Sequence, residues 1–377
     1  MKRIKVAILF GGNSVEHEIS IISALQAIKA LDKIKYEVIP LYLTKNNKLV
    51  YSSSLTNIDE YKNIDTLLKK CMNVKVKNIQ NKGYVIGDDI PLFRKEIDII
   101  YPIVHGKNVE DGSLKYILDV LDVPCIYSSI SSLSLCQDKV FTKMILENNS
   151  FPTLNFFSIK KNEYKYLTFD NLDLKFPLIV KPATLGSSIG IKYVSNDVEL
   201  YNAVNVAFNY DDKVIIEKAL EDFKEVNCSA FRYKDKILIS PIERVYSSKE
   251  ILDYDDKYSP SNGMKECKRE LPASLSKEEQ ELIEKYTLDA YELFDCHGVV
   301  RIDYMIGKDK KIYLNEINSI PGSLSFYLWE SKNIRFDKLL DMLIEQAFEE
   351  YKDKNKLINS FNDFKIFNNK SFKLSLK

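Results

Sequence analysis

The stretch IKVAILFGG, residues 4–12, indicates the first element of the fold and its class. It opens with an almost continuous apolar run, which is typical of a strand buried on both faces of a parallel sheet. Gly11 and Gly12 end this run, and apolar residues then recur at helical spacing over residues 21–31. Because strand and helix continue to alternate as far as residue 128, we predict a doubly wound parallel sheet that binds ligands at the carboxyl ends of its strands.

The remainder of the chain predicts further units of mixed α/β and α+β character. Residues 44–96 are polar and rich in Asn and Lys, and we interpret them as an insertion of short strands and loops. After the first unit, residues 1–128, we predict a central unit over 129–219 and a C-terminal unit over 220–352. The central unit is predicted to start with one helix over 134–147. The last residues, 353–377, form a Lys- and Asn-rich tail to which no role is assigned.

Charge and composition restrict the class of protein. The 377 residues include 54 Lys and Arg and 54 Asp and Glu, so no overall field favours nucleic acid or an anionic membrane surface. No apolar segment approaches the ~18 residues needed to span a bilayer, and the apolar run near the N-terminus is too short for a signal peptide. The six cysteines contain no C-x-x-C pair. We therefore expect a cytoplasmic protein with reduced cysteines that acts on small molecules, without nucleic-acid or membrane partners.

A hairpin over residues 299–318 carries the strongest local signal for chemistry. Since side chains alternate along a strand, Arg301 and Asp303 share one face of its first strand, and Glu316 and Asn318 share one face of its second. A tight turn would bring Asp303 opposite Glu316, and two facing carboxylates repel unless a cation compensates them. Oxygen ligands of this kind suit Mg²⁺. The alternative is a solvated hairpin in which Arg301 neutralises both acids.

Four other positions are candidates for binding, each with an ordinary structural alternative. The backbone N–H groups of the Gly- and Ser-rich loop 185–190 could cradle a phosphate, although such loops commonly only turn the chain. Lys181 ends the strand before this loop, where it would either meet an anion or be solvated. Glu16 lies at a strand-to-helix junction, where an acid also favours the helix dipole. His105 ends a buried strand, which suits a binding residue and a structural histidine equally.

The order of eight short motifs along the chain is more specific than any one of them. The motifs are GGxSxEHE (11–18), HGx4DG (105–112), QDKx3K (137–143), KPx3GSSxG (181–190), IEK (216–218), YDxKY (254–258), RID (301–303) and NEINx2PG (315–322). In this order they resemble the D-alanine–D-alanine ligases, and the resemblance covers about residues 4–350. It implies that the N-terminal α/β unit is followed by a two-part ATP-grasp fold, with the nucleotide held between residues 129–219 and 220–352.

The resemblance implies a nucleotide site and a metal site. ATP and two Mg²⁺ ions, with Mn²⁺ as a substitute, would bind between the two ATP-grasp parts. The ammonium groups of Lys139 and Lys181 correspond to those that bind the ATP phosphates, and Lys257 corresponds to one that reaches the γ-phosphate. The other residues implied at the nucleotide are Gly186, Ser188, Glu217, Lys218, Leu220 and Glu225. The metal ligands implied are Asp303, Glu316 and Asn318.

The resemblance also implies the reaction and its catalytic groups. The carboxylate of one small amino acid attacks the ATP γ-phosphate, and the amine of a second amino acid then displaces phosphate from the resulting acyl phosphate. Glu16, Ser187 and Tyr258 would form a hydrogen-bonded triad that holds the first substrate. Arg301 and the N–H of Gly322 would stabilise the tetrahedral oxygen. The residues implied along the substrate site are His105, Ser325, Tyr327 and Leu328.

The sequence departs from the family pattern at Tyr327, where the family usually has a Ser that binds the carboxylate of the acceptor. The function expected is ATP-dependent formation of a D-alanyl-D-alanine-type dipeptide for peptidoglycan precursors, and so for the cell wall and cell shape. The resemblance implies a homodimer that acts on small amino acids. Tyr327 leaves open a ligase with another acceptor, either a D-hydroxy acid or a different amino acid. A non-catalytic nucleotide-binding regulator is the remaining alternative.

Overall fold

The structure is a computed structural model that describes residues 2–90, 92–164, 173–246 and 268–358. These residues form three β-sheets with helices packed against them. Within these ranges, no helix is both long enough and apolar enough to cross a membrane. The predicted fold class, an α/β unit followed by further mixed units, is confirmed.

The N-terminal sheet has seven strands. In chain order they are β1 (Ile4–Gly11), β2 (Tyr36–Leu43), β3 (Leu49–Tyr51), β4 (Met72–Ile79), β5 (Lys82–Gly87), β6 (Arg94–Ile97) and β7 (Ile99–Ile103). Strand β1 pairs in parallel with β2 and β7, whereas β2 to β6 pair in succession as antiparallel neighbours. The sheet is therefore mixed rather than wholly parallel as predicted, because the short strands of residues 44–96 extend it as antiparallel neighbours.

The helices of this first unit are α1 (His17–Ala30), α2 (Ile64–Lys69) and α3 (Ser113–Val120). Helix α1 begins just beyond Gly12, as the sequence predicts. The N–H of Gly11 donates to Ser20 Oγ at 2.8 Å, and this hydroxyl donates to the carbonyl oxygen of Ile103 at 2.6 Å. These two bonds fix the start of α1 at the carboxyl ends of β1 and β7, the edge where ligands are expected.

The central sheet is antiparallel, in the order β10-β9-β11-β8. The elements of this part are α4 (Ile130–Gln137), α5 (Lys139–Asn148), β8 (Phe156–Lys160), α6 (Lys161–Tyr164), β9 (Leu178–Pro182), β10 (Lys192–Val194), α7 (Asp197–Ala207) and β11 (Lys213–Lys218). Helix α7 packs on the sheet through Leu200 and Val204, which share a core with Val180. The sheet holds Lys181 and Glu217 on adjacent strands, β9 and β11.

The C-terminal sheet has the order β15-β14-β12-β16-β17, and β13 also pairs with β12. The elements of this part are β12 (Lys224–Tyr233), β13 (Lys236–Ile239), β14 (Glu243–Val245), β15 (Arg269–Glu270), α8 (Lys277–Leu293), β16 (Val300–Ile306), β17 (Ile312–Asn318), α9 (Phe326–Glu330) and α10 (Phe336–Lys354). Ser276 caps α8 with a capping box completed by Glu279. Ile283 of α8 packs in one core with Val300 and Ile302, so Arg301 and Asp303 lie on the opposite face of the sheet.

Helix α10 packs against the N-terminal unit rather than only against its own sheet. Its residues Leu339 and Leu343 share a core with Val6 and Ile8 of β1. At the edge of this core, Asp341 accepts hydrogen bonds from Lys35 Nζ at 2.5 Å and from Tyr36 Oη at 2.8 Å. The segment between β17 and α10 also contacts α1, where the N–H of Ser323 donates to Ser23 Oγ. The division of the chain at residues 128, 219 and 352 stays a prediction.

Candidate active site

The β16–β17 hairpin has the predicted arrangement of acids. Asp303 stands directly opposite Glu316 and Arg301 directly opposite Asn318 in the strand register. Arg301 donates two hydrogen bonds to Asp303, from Nε at 2.7 Å and from Nη2 at 2.8 Å. Asn318 Nδ2 donates to Asp303 Oδ2 at 3.1 Å. Two carboxylates, an amide and a guanidinium therefore meet on one face of the sheet.

Arg301 keeps its charge in this setting. Burial disfavours a charged guanidinium, but the Asp303 carboxylate outweighs it and raises the pKa of Arg301 well above the usual value. A bidentate Arg–carboxylate pair also fixes the plane of the guanidinium. Arg301 thus presents a permanent, oriented positive charge, which is what a developing oxyanion requires.

Glu16, from the start of α1, contacts the glycine- and serine-rich loop. Ser187 Oγ donates a short hydrogen bond to Glu16 Oε1. A Cβ atom added at Gly186 would lie 2.7 Å from Glu16 Oε2, and one added at Gly106 would lie 2.8 Å from the same oxygen. Side chains at either glycine would therefore collide with Glu16. The structure brings the predicted residues Glu16, Gly186 and Ser187 together, and Ser188 follows them with φ = 58°.

Lys139 connects this loop to the hairpin. Its Nζ donates to the carbonyl oxygen of Leu185 at 2.6 Å and lies 4.0 Å from Glu316 Oε2. Lys139 is the first residue of α5 and its ammonium is largely buried. One cation therefore lies between the predicted phosphate loop and the predicted metal acid.

Lys181 belongs to a buried cluster that the sequence did not predict. Glu217 lies between two lysines, with Lys181 Nζ 2.5 Å from its Oε2 and Lys143 Nζ 3.0 Å from its Oε1. Burial raises the pKa of a carboxyl group, but the charges of Lys143 and Lys181 outweigh this effect and lower the pKa of Glu217 to about 2. The cluster therefore holds three charges in the interior, with a net charge of +1 beside the loop.

The other residues implied at the nucleotide lie along β11, β12 and their connection. Lys218 Nζ points back to the carbonyl oxygen of Lys175 at 3.2 Å, so its side chain lies at the end of β11. Leu220 approaches Gly307 at the turn of the hairpin, 3.6 Å from an added Cβ. Glu225 is opposite Met305 in the register and lies on the same face as Asp303. These residues line the boundary between the central and C-terminal sheets.

His105 occupies a structural position at the base of the cleft. Its Nδ1 lies 2.9 Å from the carbonyl oxygen of Ile320, and its Nε2 lies 3.0 Å from Ser23 Oγ. Ser23 Oγ also accepts the N–H of Ser323 at 2.9 Å. Burial lowers the pKa of His105 to about 4, so the ring is neutral near pH 7. His105 therefore ties the segment around residue 320 to Ser23 of α1.

Glu110 is a site residue that the sequence analysis missed. It is buried and accepts hydrogen bonds from the N–H of Gly106 at 2.9 Å, Ser319 Oγ at 2.9 Å and the N–H of Ile320 at 3.0 Å. Burial, and next the nearby Glu16, raise its pKa to about 7. Its place within the HGx4DG motif was the only available signal. Glu110 ties the loop after β7 to the end of β17.

The segment after Pro321 turns sharply beside these groups. Ser323, Leu324 and Ser325 have consecutive left-handed φ values of 53°, 51° and 47°, which is strained for residues other than glycine. A Cβ added at Gly322 would meet nothing within 4 Å, so this residue borders open space. Ser325 and Leu328 are fully buried, backbone included, so neither borders the open space beside Gly322.

Tyr327 reaches across the sheet to residues that the sequence analysis also missed. Its Oη donates to Glu243 Oε2 at 3.1 Å, and Arg269 Nη1 donates to Glu243 Oε1 at 3.2 Å.

The predicted residues Lys257 and Tyr258 lie outside the described residues. Across residues 2–358, apart from the gaps named above, no group of three or more His, Cys, Asp or Glu side chains is placed to hold a metal. The predicted ligand set has two acids and an amide.

Comparison with known protein families gives two matches along the chain. Residues 5–128 match the model described as "D-ala D-ala ligase N-terminus", and residues 145–345 match "D-ala D-ala ligase C-terminus". Among curated proteins, a D-alanine–D-alanine ligase of Thermosipho africanus is 39% identical over 359 residues, which cover 95% of this chain and 96% of that protein.

Solved structures that resemble this chain are ligases of the same kind. The VanG D-Ala:D-Ser ligase of Enterococcus faecalis is 26% identical with a TM-score of 0.77, and the match covers 92% of this chain and all of that one. A D-alanine–D-alanine ligase of Bacillus anthracis, solved with ATP, is 27% identical with a TM-score of 0.68, over 93% of this chain and 99% of that one. The architecture is therefore that of the ATP-grasp ligases.

Proposed function

The chain belongs to the D-alanine–D-alanine ligase family, and from this premise we propose that it joins two molecules of D-alanine with the consumption of ATP. It is an ATP-dependent ligase that forms a dipeptide for cell-wall synthesis. One observation carries the assignment of the site: Lys139 links the loop 185–190 to Glu316, so the phosphate-binding candidates adjoin the acidic hairpin.

We propose that Mg²⁺ ions bind at Asp303, Glu316 and Asn318, because the chemistry of these side chains fits. Two carboxylates directly opposite each other need positive charge between or beside them; Arg301 pairs with Asp303, and Lys139 lies 4.0 Å from Glu316. Hard divalent cations prefer such oxygen ligands and retain waters and substrate phosphates as the rest of their coordination. When bound, the metal would neutralise charge on the phosphates of ATP.

Side chains of the protein would bind the phosphates and the substrates and would stabilise the oxyanion. Lys139 and Lys181 would hold the phosphates of ATP through their ammonium groups, while Glu16 would hold the ammonium group of the first amino acid. Ser187, hydrogen-bonded to Glu16, would couple occupation of that site to the position of the loop. Arg301 and the N–H of Gly322 would stabilise the oxyanion formed when the second amine attacks.

The identity of the acceptor is tested by the product. The purified protein with ATP, Mg²⁺ and D-alanine is expected to release phosphate and to form D-alanyl-D-alanine in equal amounts, measured by phosphate release and mass spectrometry. L-alanine and omission of Mg²⁺ are the controls. A depsipeptide formed in preference to the dipeptide when D-hydroxy acids are added would show a different acceptor. Phosphate release that no amino acid stimulates, in a screen of D- and L-amino acids, would leave only a nucleotide-binding regulator.

We also propose that the protein is a homodimer and, since it consumes ATP, that it acts in the cytoplasm. Helix α3 exposes the apolar side chains of Tyr116, Ile117 and Val120. A cavity of about 860 Å³ lies between α3 and the N-terminal sheet, away from the catalytic residues. Contiguous exposed apolar surface of this kind often marks an interface. Sedimentation velocity is expected to give twice the chain mass of 43.7 kDa. The double variant Tyr116→Glu, Val120→Glu should sediment with the mass of a single chain.

A further inference from the structure

A row of polar side chains crosses the C-terminal sheet and extends the hairpin site to the far edge. Asn227 of β12 stands opposite Asp303 on one side and Glu243 of β14 on the other. Residues directly opposite each other in an antiparallel pair point to the same face. Glu316, Asp303, Asn227 and Glu243 therefore form one continuous row on the catalytic face. The row continues beyond the residues that the family resemblance implies.

Arg269 stands at the end of this row. It is opposite Val245 in the register of β14 and β15, so it shares the face of Val245 and of Glu243, two residues earlier. Its guanidinium carbon lies 5.0 Å from the centre of the Tyr327 ring. Glu243, which is 1% exposed, accepts one bond from Arg269 and one from Tyr327. A buried carboxylate therefore fixes both side chains.

In this arrangement the hydroxyl proton of Tyr327 is used in its hydrogen bond to Glu243. The phenol donates to Glu243 and so does not donate to a substrate carboxylate while that bond exists. Arg269 differs, because a guanidinium has five N–H donors, more than its hydrogen bonds to Glu243 and to the Tyr327 hydroxyl use. The Arg269 side chain is 35% exposed, which leaves part of its donor edge accessible. Arg269, rather than Tyr327, has donors to offer a ligand.

The position suits the acceptor amino acid. Tyr327 lies in α9, five residues after Gly322, and its hydroxyl donates to Glu243, which belongs to the same row as Asp303, the partner of Arg301. An acceptor whose amine attacks a carbonyl held at Arg301 carries its carboxylate two bonds away from that amine. A planar guanidinium matches a carboxylate through two parallel hydrogen bonds.

We propose that Arg269 binds the α-carboxylate of the acceptor amino acid, and that Glu243 and Tyr327 are positioning residues that hold its guanidinium. This inference rests on the proposed function and goes beyond it by naming the group that recognises the acceptor. The role that a serine hydroxyl has at the position of Tyr327 in the family passes to Arg269. The acceptor must then carry a free carboxylate.

The test uses two acceptors that differ only in this group. D-alanine is supplied as the donor, and D-alanine or D-alaninamide competes as the acceptor, which is possible because the amide has no carboxylate to activate. Mass spectrometry separates the two dipeptide products. The unmodified protein is expected to favour D-alanine strongly. Arg269→Gln should lower kcat/KM for D-alanine as the acceptor about 10–100-fold, the range for a lost charged hydrogen bond, and leave that for D-alaninamide within about threefold.

Two further variants separate recognition from structure. Arg269→Lys keeps the charge but not the planar fork, so we expect an intermediate preference. Arg244→Gln removes the same charge from the neighbouring residue of β14, whose side chain points to the opposite face and stacks on Tyr246, and it should leave the preference unchanged. Equal losses for both acceptors in Arg269→Gln would make Arg269 only part of the wall and would overturn the inference. An unchanged preference in both Arg269 variants would overturn it as well.

The experiment distinguishes an error in the proposed ligase function from an error in the role of Arg269. If the unmodified protein forms no dipeptide with either acceptor, the proposed function is wrong and the inference falls with it. If the unmodified protein is active and Arg269→Gln retains its preference for D-alanine, only the role of Arg269 is wrong.

Discussion

Asp303→Asn is expected to lower kcat for dipeptide formation by about a thousandfold. The change removes one of two facing carboxylates and with it the attraction for a divalent cation, a loss of several kcal/mol in transition-state stabilisation. It also replaces the bidentate partner of Arg301, so the orientation of the guanidinium is lost as well. Steady-state phosphate release and dipeptide yield, measured over a range of Mg²⁺ concentrations, give kcat and the apparent metal affinity.

A matched substitution in the same hairpin controls for general damage. Asp309 lies at the turn, where its side chain is half exposed, and Asp309→Asn should leave kcat within about twofold. The asparagine at position 303 has nearly the same shape as aspartate, so circular dichroism is expected to be unchanged. A kcat for Asp303→Asn within tenfold of the unmodified protein would contradict the proposed metal site.

Glu217→Gln is expected to lower the free energy of unfolding by about 3–5 kcal/mol. Glu217 and Lys143 are both 1% exposed, and removing one member of a buried ion cluster leaves the other charges uncompensated. The pKa of Lys143, which burial already lowers, would fall further, because the charge of Glu217 is the main influence that opposes this effect. Urea denaturation followed by circular dichroism measures the difference.

The same cluster predicts a dependence of stability on pH. The pKa of Glu217 is lowered to about 2 in the folded protein, below the usual value of 4.5. A lowered carboxyl pKa means that the stabilisation is complete above about pH 4.5 and is lost as the pH falls towards 2. The unmodified protein should lose about 3 kcal/mol through Glu217 over this interval, whereas Glu217→Gln should not show this part of the loss.

Two variants distinguish charge from packing at this position. Glu221→Gln changes an exposed residue just beyond the same strand and should alter stability by less than about 0.5 kcal/mol. Glu217→Gln combined with Lys143→Met removes both fully buried charges and should recover about half of the loss, since Lys181 can reach solvent. A double variant as unstable as the single one would mean that shape, not charge, sets the cost.

Local patterns in the sequence predicted those features whose causes are local. The hairpin of residues 299–318 is an example, because strand alternation and a short turn determine which side chains share a face, and Asp303 does stand opposite Glu316. The strand that ends at Gly11 and Gly12 is predicted for the same reason. In each case the residues that decide the structure are neighbours along the chain.

Features that depend on partners distant in sequence were missed. One helix was predicted over residues 134–147, but the helix is interrupted at Asp138. The carboxylate of Asp138 caps α5 and pairs with Lys213. Residues 44–96 do contain the short strands that the sequence predicts, but the pairing of these strands with the N-terminal sheet was not predicted. Apolar spacing is the same for one helix and two, and a polar edge strand resembles a loop.

The charged clusters of the site are the clearest case of information that only folding supplies. Glu217 meets Lys143 from a segment more than 70 residues away, and Tyr327 meets Glu243 across a similar separation. No spacing rule connects such residues, because the distance between them is set by how the sheets pack and not by the period of a helix or strand. The motifs named most of the chemical groups in advance, but the burial that lowers or raises each pKa, and the contacts that orient Arg269 and Arg301, arise from the tertiary fold.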